Sequence, residues 1–266
     1  MKKIIQPVIL LAAAAAAALS TFSGMYAQQP PQAQVKATKG GISKQEADAF
    51  NAILKAQNPD DRIKAADEFV TKFADSQYKG IALYDAAEAA DAKGDYIKAI
   101  TYAEESLKAD PTNFDAKLLV AGEIAQHTRE NDLDKTEKLT KADKYAKEAL
   151  QEIPAAPKPQ PQIQDAQWDQ YKKNAEARAH LDLGLIAMAN KKTAQEVEEF
   201  KTAVDMMSPP DQVAMARLAN AYNDLGKPDD ALAVLDKLLA MNDLIPQVKN
   251  FAQQEKAKAE KAKGGK

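Results

Sequence analysis

The chain is 266 residues long, 45% hydrophobic and 28% charged, with a formal net charge of −3 and no cysteine. Alanine supplies about a fifth of it and aromatic residues only 6%, a composition that favours helices over an all-β fold. The lack of cysteine excludes disulfides, thiolate metal sites and a cysteine nucleophile, the acidic balance argues against general nucleic-acid binding, and two histidines, His127 and His180, leave little for zinc or a histidine-dependent triad.

Met1-Lys2-Lys3 is a short basic start, followed by an almost wholly apolar run from Ile4 to Leu19 that includes seven alanines, Ala12 to Ala18. Polar and small residues follow. This is the three-part layout of a secretory signal peptide, and the run is shorter than the roughly 20 residues that span a bilayer. Cleavage is expected after Ala27, the alternative being an uncleaved membrane anchor. Removing residues 1–27 takes away two lysines and no acid, which moves the net charge from −3 to −5. Export to a periplasm-like or extracellular compartment is the expected destination.

Residues 28–42, rich in Gln, Pro, Lys and Gly, read as a flexible leader. From Ser43 the pattern is helical. Ser43 and Glu46 form a capping box, and Asn58-Pro59 places proline at a first helical position. Gly94-Asp95, Thr112-Asn113, Ser208-Pro209 and Lys227-Pro228 punctuate later helices. The expected pairs are 43–56/59–75, 79–93/95–109, 113–127/134–152, 163–190/193–206 and 210–225/228–241, with a last helix over 245–262. The polar stretch 128–138 reads as a solvated loop and the proline-rich 154–162 as an extended linker. Sustained period-2 alternation is absent, so no sheet is expected.

Gly94-Asp95-Tyr96-Ile97-Lys98-Ala99-Ile100, with Leu107 and Asp110-Pro111, resembles the second half of a tetratricopeptide (TPR) motif. A glycine relieves the inter-helix turn, a small residue lets helices cross closely, and a proline ends the unit. Partial matches recur: Leu118, Gly122 and Ala125 with Ala142, Ala149 and Pro154; Leu183 and Gly184 with Phe200 and Ala203; Leu218, Tyr222 and Gly226 with Ala231 and Leu235. The small helix-B position recurs at Ala99, Ala142 and Ala231, but Glu196 stands there in the fourth unit. It is read as closing a capping box with Thr193. The resemblance covers residues 43–241, and residues 242–266 read as a capping helix and basic tail.

The resemblance implies an all-α solenoid of α-α hairpins wound into a right-handed superhelix. It further implies that the first helix of each unit lines the concave side. The groove positions are then Tyr84, Glu88 and Asp91; Leu119, Glu123 and Gln126; Leu181, Leu185 and Met188; and Ala216, Asn220 and Asn223. Tyr84, Glu88 and Asp91 stand at i, i+4 and i+7 on one helix face, either as a wall of a partner site or as a solvated face. TPR domains that grip terminal carboxylates use Lys, Arg and Asn at such positions. This chain offers the asparagines but no Lys or Arg, which favours a basic or apolar peptide.

The sequence contains no HExxH, GxSxG or glycine-rich phosphate loop, so no catalytic residue, metal or cofactor is expected. Asp60-Asp61 and Glu198-Glu199 are neighbours that point to different helix sides. His127 reads as a cation or donor near a helix C-terminus and His180 as an interface histidine. Trp168 and Tyr171 read either as a clamp fixing the start of a long helix or as an exposed aromatic patch. Met206, Met207, Met215 and Met241 read as core filler. The stretch Lys249–Lys266 holds six lysines and two glutamates, read as a polar capping helix that fades into disorder, the alternative being a basic tail in weak contact with an anionic membrane surface or an acidic partner. The expected function is an exported, non-enzymatic scaffold that binds a protein or peptide in cell-envelope assembly, secretion or division. The alternatives are an accessory enzyme subunit and a small-ligand binder.

Overall fold

The computed structural model describes residues 41–158 and 163–264. The expected signal peptide and most of the leader lie outside them. Among the described residues there are eleven α-helices and no strand. The helix pairs fall where the sequence pattern puts them, with ends shifted by three residues at most. The chain divides into two compact units, with the boundary between Lys191 and Lys192.

The first unit holds α1 (Lys44–Lys55), α2 (Pro59–Lys72), α3 (Lys79–Ala92), α4 (Tyr96–Ala109), α5 (Phe114–His127), α6 (Lys135–Glu152) and α7 (Asp165–Ala189). Sequence-local caps start several of them. The Ser43, Asn58, Asp95 and Asn113 side chains accept from the backbone N–H of Glu46, Asp61, Lys98 and Ala116, respectively. These caps satisfy donors that the first turn leaves orphaned. Gly94 takes φ +74° at the α3–α4 turn, a left-handed conformation that only glycine adopts cheaply. Lys191 takes the same region (φ 58°) at the turn after α7, where the motif calls for glycine.

Consecutive helices pack in order through this unit. Ala99 and Ala103 of α4, and Ala142, Ala146 and Ala149 of α6, are wholly buried, as close crossings require. Ser106 of α4 donates to the Gly80 carbonyl at 2.7 Å and accepts from Asn113 Nδ2 at 3.1 Å, which ties three helices together. At the N-terminal end, Phe50 meets Phe69 edge-on at 5.6 Å between centroids. Ile53, Ala66, Ala82 and Ala86 complete that cluster.

Helix α5 is buried along its length from Phe114 to Gln126, because α4, α6 and α7 all pack against it and α3 touches it. Even Lys117 is buried, its ammonium held by Glu148 at 3.1 Å and Glu152 at 2.6 Å of α6. The start of α7 is fixed by an aromatic clamp. Trp168 stacks on Tyr171 at 5.3 Å, both pack near Phe114, and Trp168 Nε1 donates to the Ala156 carbonyl at 3.1 Å. Trp168 and Tyr171 are each only 6% exposed, so of the two sequence readings the clamp is correct and the exposed patch is not.

The second unit holds α8 (Thr193–Met206), α9 (Gln212–Asp224), α10 (Pro228–Leu239) and α11 (Pro246–Gly264). Here α8 packs on α9, α9 on α10, and α11 covers both α9 and α10. Gly226 takes φ +72° at the α9–α10 turn and Ala231 is wholly buried. Glu196 does not close a capping box, since Lys192 is the cap residue and no side chain bonds there. It is buried, near Arg217 and Asp224, and burial, with Asp224 adding to it, pushes its carboxyl up to about 7. The basic C-terminal helix is a packed element. Val248, Phe251, Ala252 and Ala259 are buried, while Lys256, Lys258 and Lys263 pair with Asp236, Asp224 and Asp229 at 2.7, 2.7 and 2.6 Å. Those three lysines are therefore already engaged with α9 and α10, which reduces what the tail has to offer an anionic membrane. Among the described residues no helix is long and apolar enough to cross a membrane.

Candidate partner-binding site

Helices α3, α5 and α7 bring the expected groove positions of the first unit together, but mostly out of solvent. Tyr84, Leu119, Glu123, Gln126, Leu181 and Leu185 are buried; Glu88, Asp91 and Met188 are half-buried. The expectation of an open groove through all of these positions is corrected at the buried ones. Packing α7 onto α5 turns the Leu119, Glu123 and Gln126 stripe toward neighbouring helices. What remains open in this unit is a rim of Glu88, Asp91 and Met188. In the second unit Ala216 is wholly buried and Asn220 half-buried, while Asn223 Nδ2 donates to the carbonyl and Oε2 of Glu255 on α11, at 3.0 and 2.8 Å. Asn223 is thus engaged in holding the capping helix.

Behind the rim lies a cluster of polar side chains contributed by α3, α5 and α7. Tyr84 Oη donates to Glu88 Oε1 at 3.0 Å. Tyr171 Oη of α7 donates to Asp115 Oδ1 of α5 at 2.5 Å. Asp91 lies near Glu123, and His127 Nε2 stands 3.4 Å from Glu123 Oε2. The His127 ring stacks on Tyr96 at 3.9 Å and 6°. Arg178 of α7 lies among Tyr84, Asp115, Tyr171 and Asp182. Burial opposes its charge, but these neighbours outweigh burial and hold its pKa above the ordinary arginine value. Gly122 is needed here for close approach: a Cβ on it would stand 2.9 Å from Asp182 Oδ1.

Burial pushes the Glu88 carboxyl up to about 8, with Asp85 and Asp115 adding repulsion. Burial, then the nearby Glu123 charge, raises Asp91 to about 7, and burial raises Asp115 to about 6 despite the Tyr171 bond and Arg178. The sequence reading missed Asp85, Asp115, Arg178 and Asp182. A signal for two of them was present, because Asp115 and Arg178 extend the Leu119 and Leu181 stripes backward by one helical turn. Among the described residues no cluster of His, Asp and Glu has the arrangement of a metal site.

The fold defines a class of protein built from stacked helical hairpins. A tetratricopeptide-repeat family model matches residues 81–113 and 213–243, which contain α3–α4 and α9–α10. Each unit thus contains one segment similar to a TPR repeat. No curated protein matches it in sequence. Solved structures share the fold, two of them as follows. One is TTC0263, a thermophilic TPR protein of Thermus thermophilus, at 15% identity and TM-score 0.55, the match covering 79% of this chain and 98% of that one. The other is MamA (41-end) of Desulfovibrio magneticus RS-1, at 18% identity and TM-score 0.52, covering 75% and 96%.

Proposed function

We propose that the chain is an exported, non-enzymatic TPR scaffold that binds a cationic or amphipathic segment of a protein partner at the Glu88–Asp91 rim. A role in cell-envelope assembly, secretion or division follows from export combined with a binding fold. TPR repeats generally mediate protein–protein interaction, and the basic, apolar and polar order of residues 1–27 supports export. The observation that carries the reading is the half-buried pair Glu88 and Asp91, backed by the carboxyls of Asp85, Asp115 and Glu123. A rim with that surplus of carboxyls favours positive charge, and an approaching cation draws the raised Glu88 and Asp91 carboxyls toward their ionised form.

The test is Glu88→Lys with Asp91→Lys, measured against the partner recovered by affinity capture of the mature protein. Charged rims act chiefly on association rate, so the double variant should associate on the order of tenfold more slowly at low salt. The difference should shrink as salt screens the charges. Unchanged association at low salt, with helicity intact by circular dichroism, would leave Glu88 and Asp91 as a merely solvated face.

A further inference from the structure

We infer that Glu196 of α8 and the asparagines of α9 form a binding site for an alkylammonium group, either the side chain of a partner's lysine or a free amine. The inference concerns the second unit by itself and does not depend on the Glu88–Asp91 reading.

It starts from a residue out of place. The close-crossing position holds Ala99, Ala142 and Ala231 in the other units, all wholly buried, and holds Glu196 on α8. Glu196 is 5% exposed, and no side chain caps α8, so capping does not account for it. Its carboxyl makes no hydrogen bond with a described residue, and Arg217 and Asp224 reach it only as nearby charges. A buried acid without a donor costs stability. Arg217 makes the burial tolerable without requiring it, and alanine would avoid the cost altogether. A residue that breaks a local rule of its fold with no structural gain marks a functional position.

Other acceptors without donors lie beside it. Arg217, Asn220 and Asp224 stand at i, i+3 and i+7 of α9, on one face of the helix. Glu196 is near the first and last of these, which sets it against Asn220 between them. Asn220 is half-buried, and its side-chain amide has no partner among the described residues. Three residues on, Asn223 gives its Nδ2 to Glu255, while its Oδ1 is buried without a hydrogen bond. The Glu196 carboxyl and two amide oxygens are thus acceptors short of donors, and an ammonium group brings three N–H donors with a positive charge. The charge suits the place, because α9 ends at Asp224 and a helix C-terminus favours a cation. Asp224 already holds Lys258 at 2.7 Å, which leaves Glu196 as the carboxyl for an incoming cation. The way in is from the end of α9, where the Asp224 side chain is 49% exposed.

The experiment is NMR of the full mature chain at pH 8, above the raised Glu196 value, following the side-chain amide signals of Asn220 and Asn223. The probes are n-butylammonium, N-acetyl-lysine methylamide and tetramethylammonium, which has the charge but no N–H. The first two should shift both signals with dissociation constants on the order of 1 mM, and tetramethylammonium should bind about tenfold more weakly. Tighter binding of the lysine derivative assigns the site to a partner's lysine, and tighter binding of butylammonium assigns it to a free amine. Glu196→Ala should lose about tenfold in amine affinity while melting higher by roughly 2–4 °C, since it restores the small crossing residue. Unshifted signals with both amines, or amine affinity retained in Glu196→Ala, overturns the inference. A Glu196→Ala variant that melts lower overturns it too, by making Glu196 a structural partner of Arg217. Asn220→Ala, at a half-buried position, gives a second check, and unchanged amine affinity there also refutes the site.

Discussion

Trp168→Ala is expected to destabilise the protein by about 3–5 kcal/mol, the usual cost of deleting a buried large aromatic side chain. The ring is almost wholly out of water, stacked on Tyr171 and packed near Phe114, and it lies in a cluster with Ile153, Ile163 and Leu118. Truncation opens a cavity among these residues and also leaves the Ala156 carbonyl without its Nε1 donor. The damage is not confined to apolar packing. Tyr171 carries the bond to Asp115 across 56 residues of sequence, so loosening the clamp loosens the polar cluster as well. Urea unfolding followed by circular dichroism measures the loss. Trp168→Phe should cost less than half as much, since it keeps most of the apolar contact and gives up the donor. A loss below about 1 kcal/mol for the alanine variant would mean that the clamp relaxes rather than leaves a cavity, contrary to this packing.

Arg178→Met is expected to cost about 3 kcal/mol at pH 7.5, the lower end of what breaking a buried ion pair costs. Methionine keeps much of the length of the side chain and removes the positive charge that Tyr84, Asp115, Tyr171 and Asp182 surround. The carboxyls left behind have two ways to respond: stay ionised and repel, or bind protons. The cost should therefore shrink at pH 5, where Glu88 and Asp91 are already protonated. Comparing the two variants separates their mechanisms. The Trp168→Ala loss should change little with pH, because it is largely a packing loss, whereas the Arg178→Met loss should change markedly. An Arg178→Met loss equal at both pH values would assign that residue to packing through its aliphatic stem.

Much of the fold is legible in the sequence because its signals are local. Caps, turn glycines and the alanines of close crossings are read from a few adjacent residues, and Gly94, Gly226, Ala99 and Ala231 all stand in the conformation or burial their motif demands. The TPR spacing then supplies the order of helices. The site is less legible because it depends on contacts distant in sequence. Spacing alone places Tyr84, Glu88 and Asp91 on one face, but not what α5 and α7 set against that face. Register assigns Leu119 and Leu185 to a groove, and they are buried instead. Glu196 shows the same limit. A buried acid at a small-residue position is intelligible only once Arg217 is seen beside it. Lys191 departs in the other direction, adopting a glycine-type backbone at a turn where its motif glycine is missing.

Site-specific photo-crosslinking in the native cell tests the partner site most directly. A photoreactive residue replaces Ala92, which is exposed one residue beyond Asp91, or Lys98, which is exposed on α4. A scaffold that grips a cationic segment at the Glu88–Asp91 rim should yield a discrete protein adduct from position 92, little from position 98, and a weaker adduct from 92 when Glu88 and Asp91 are both lysine. Equal adducts from both positions, or an adduct from position 92 that survives the charge reversal, would contradict the rim as the partner site.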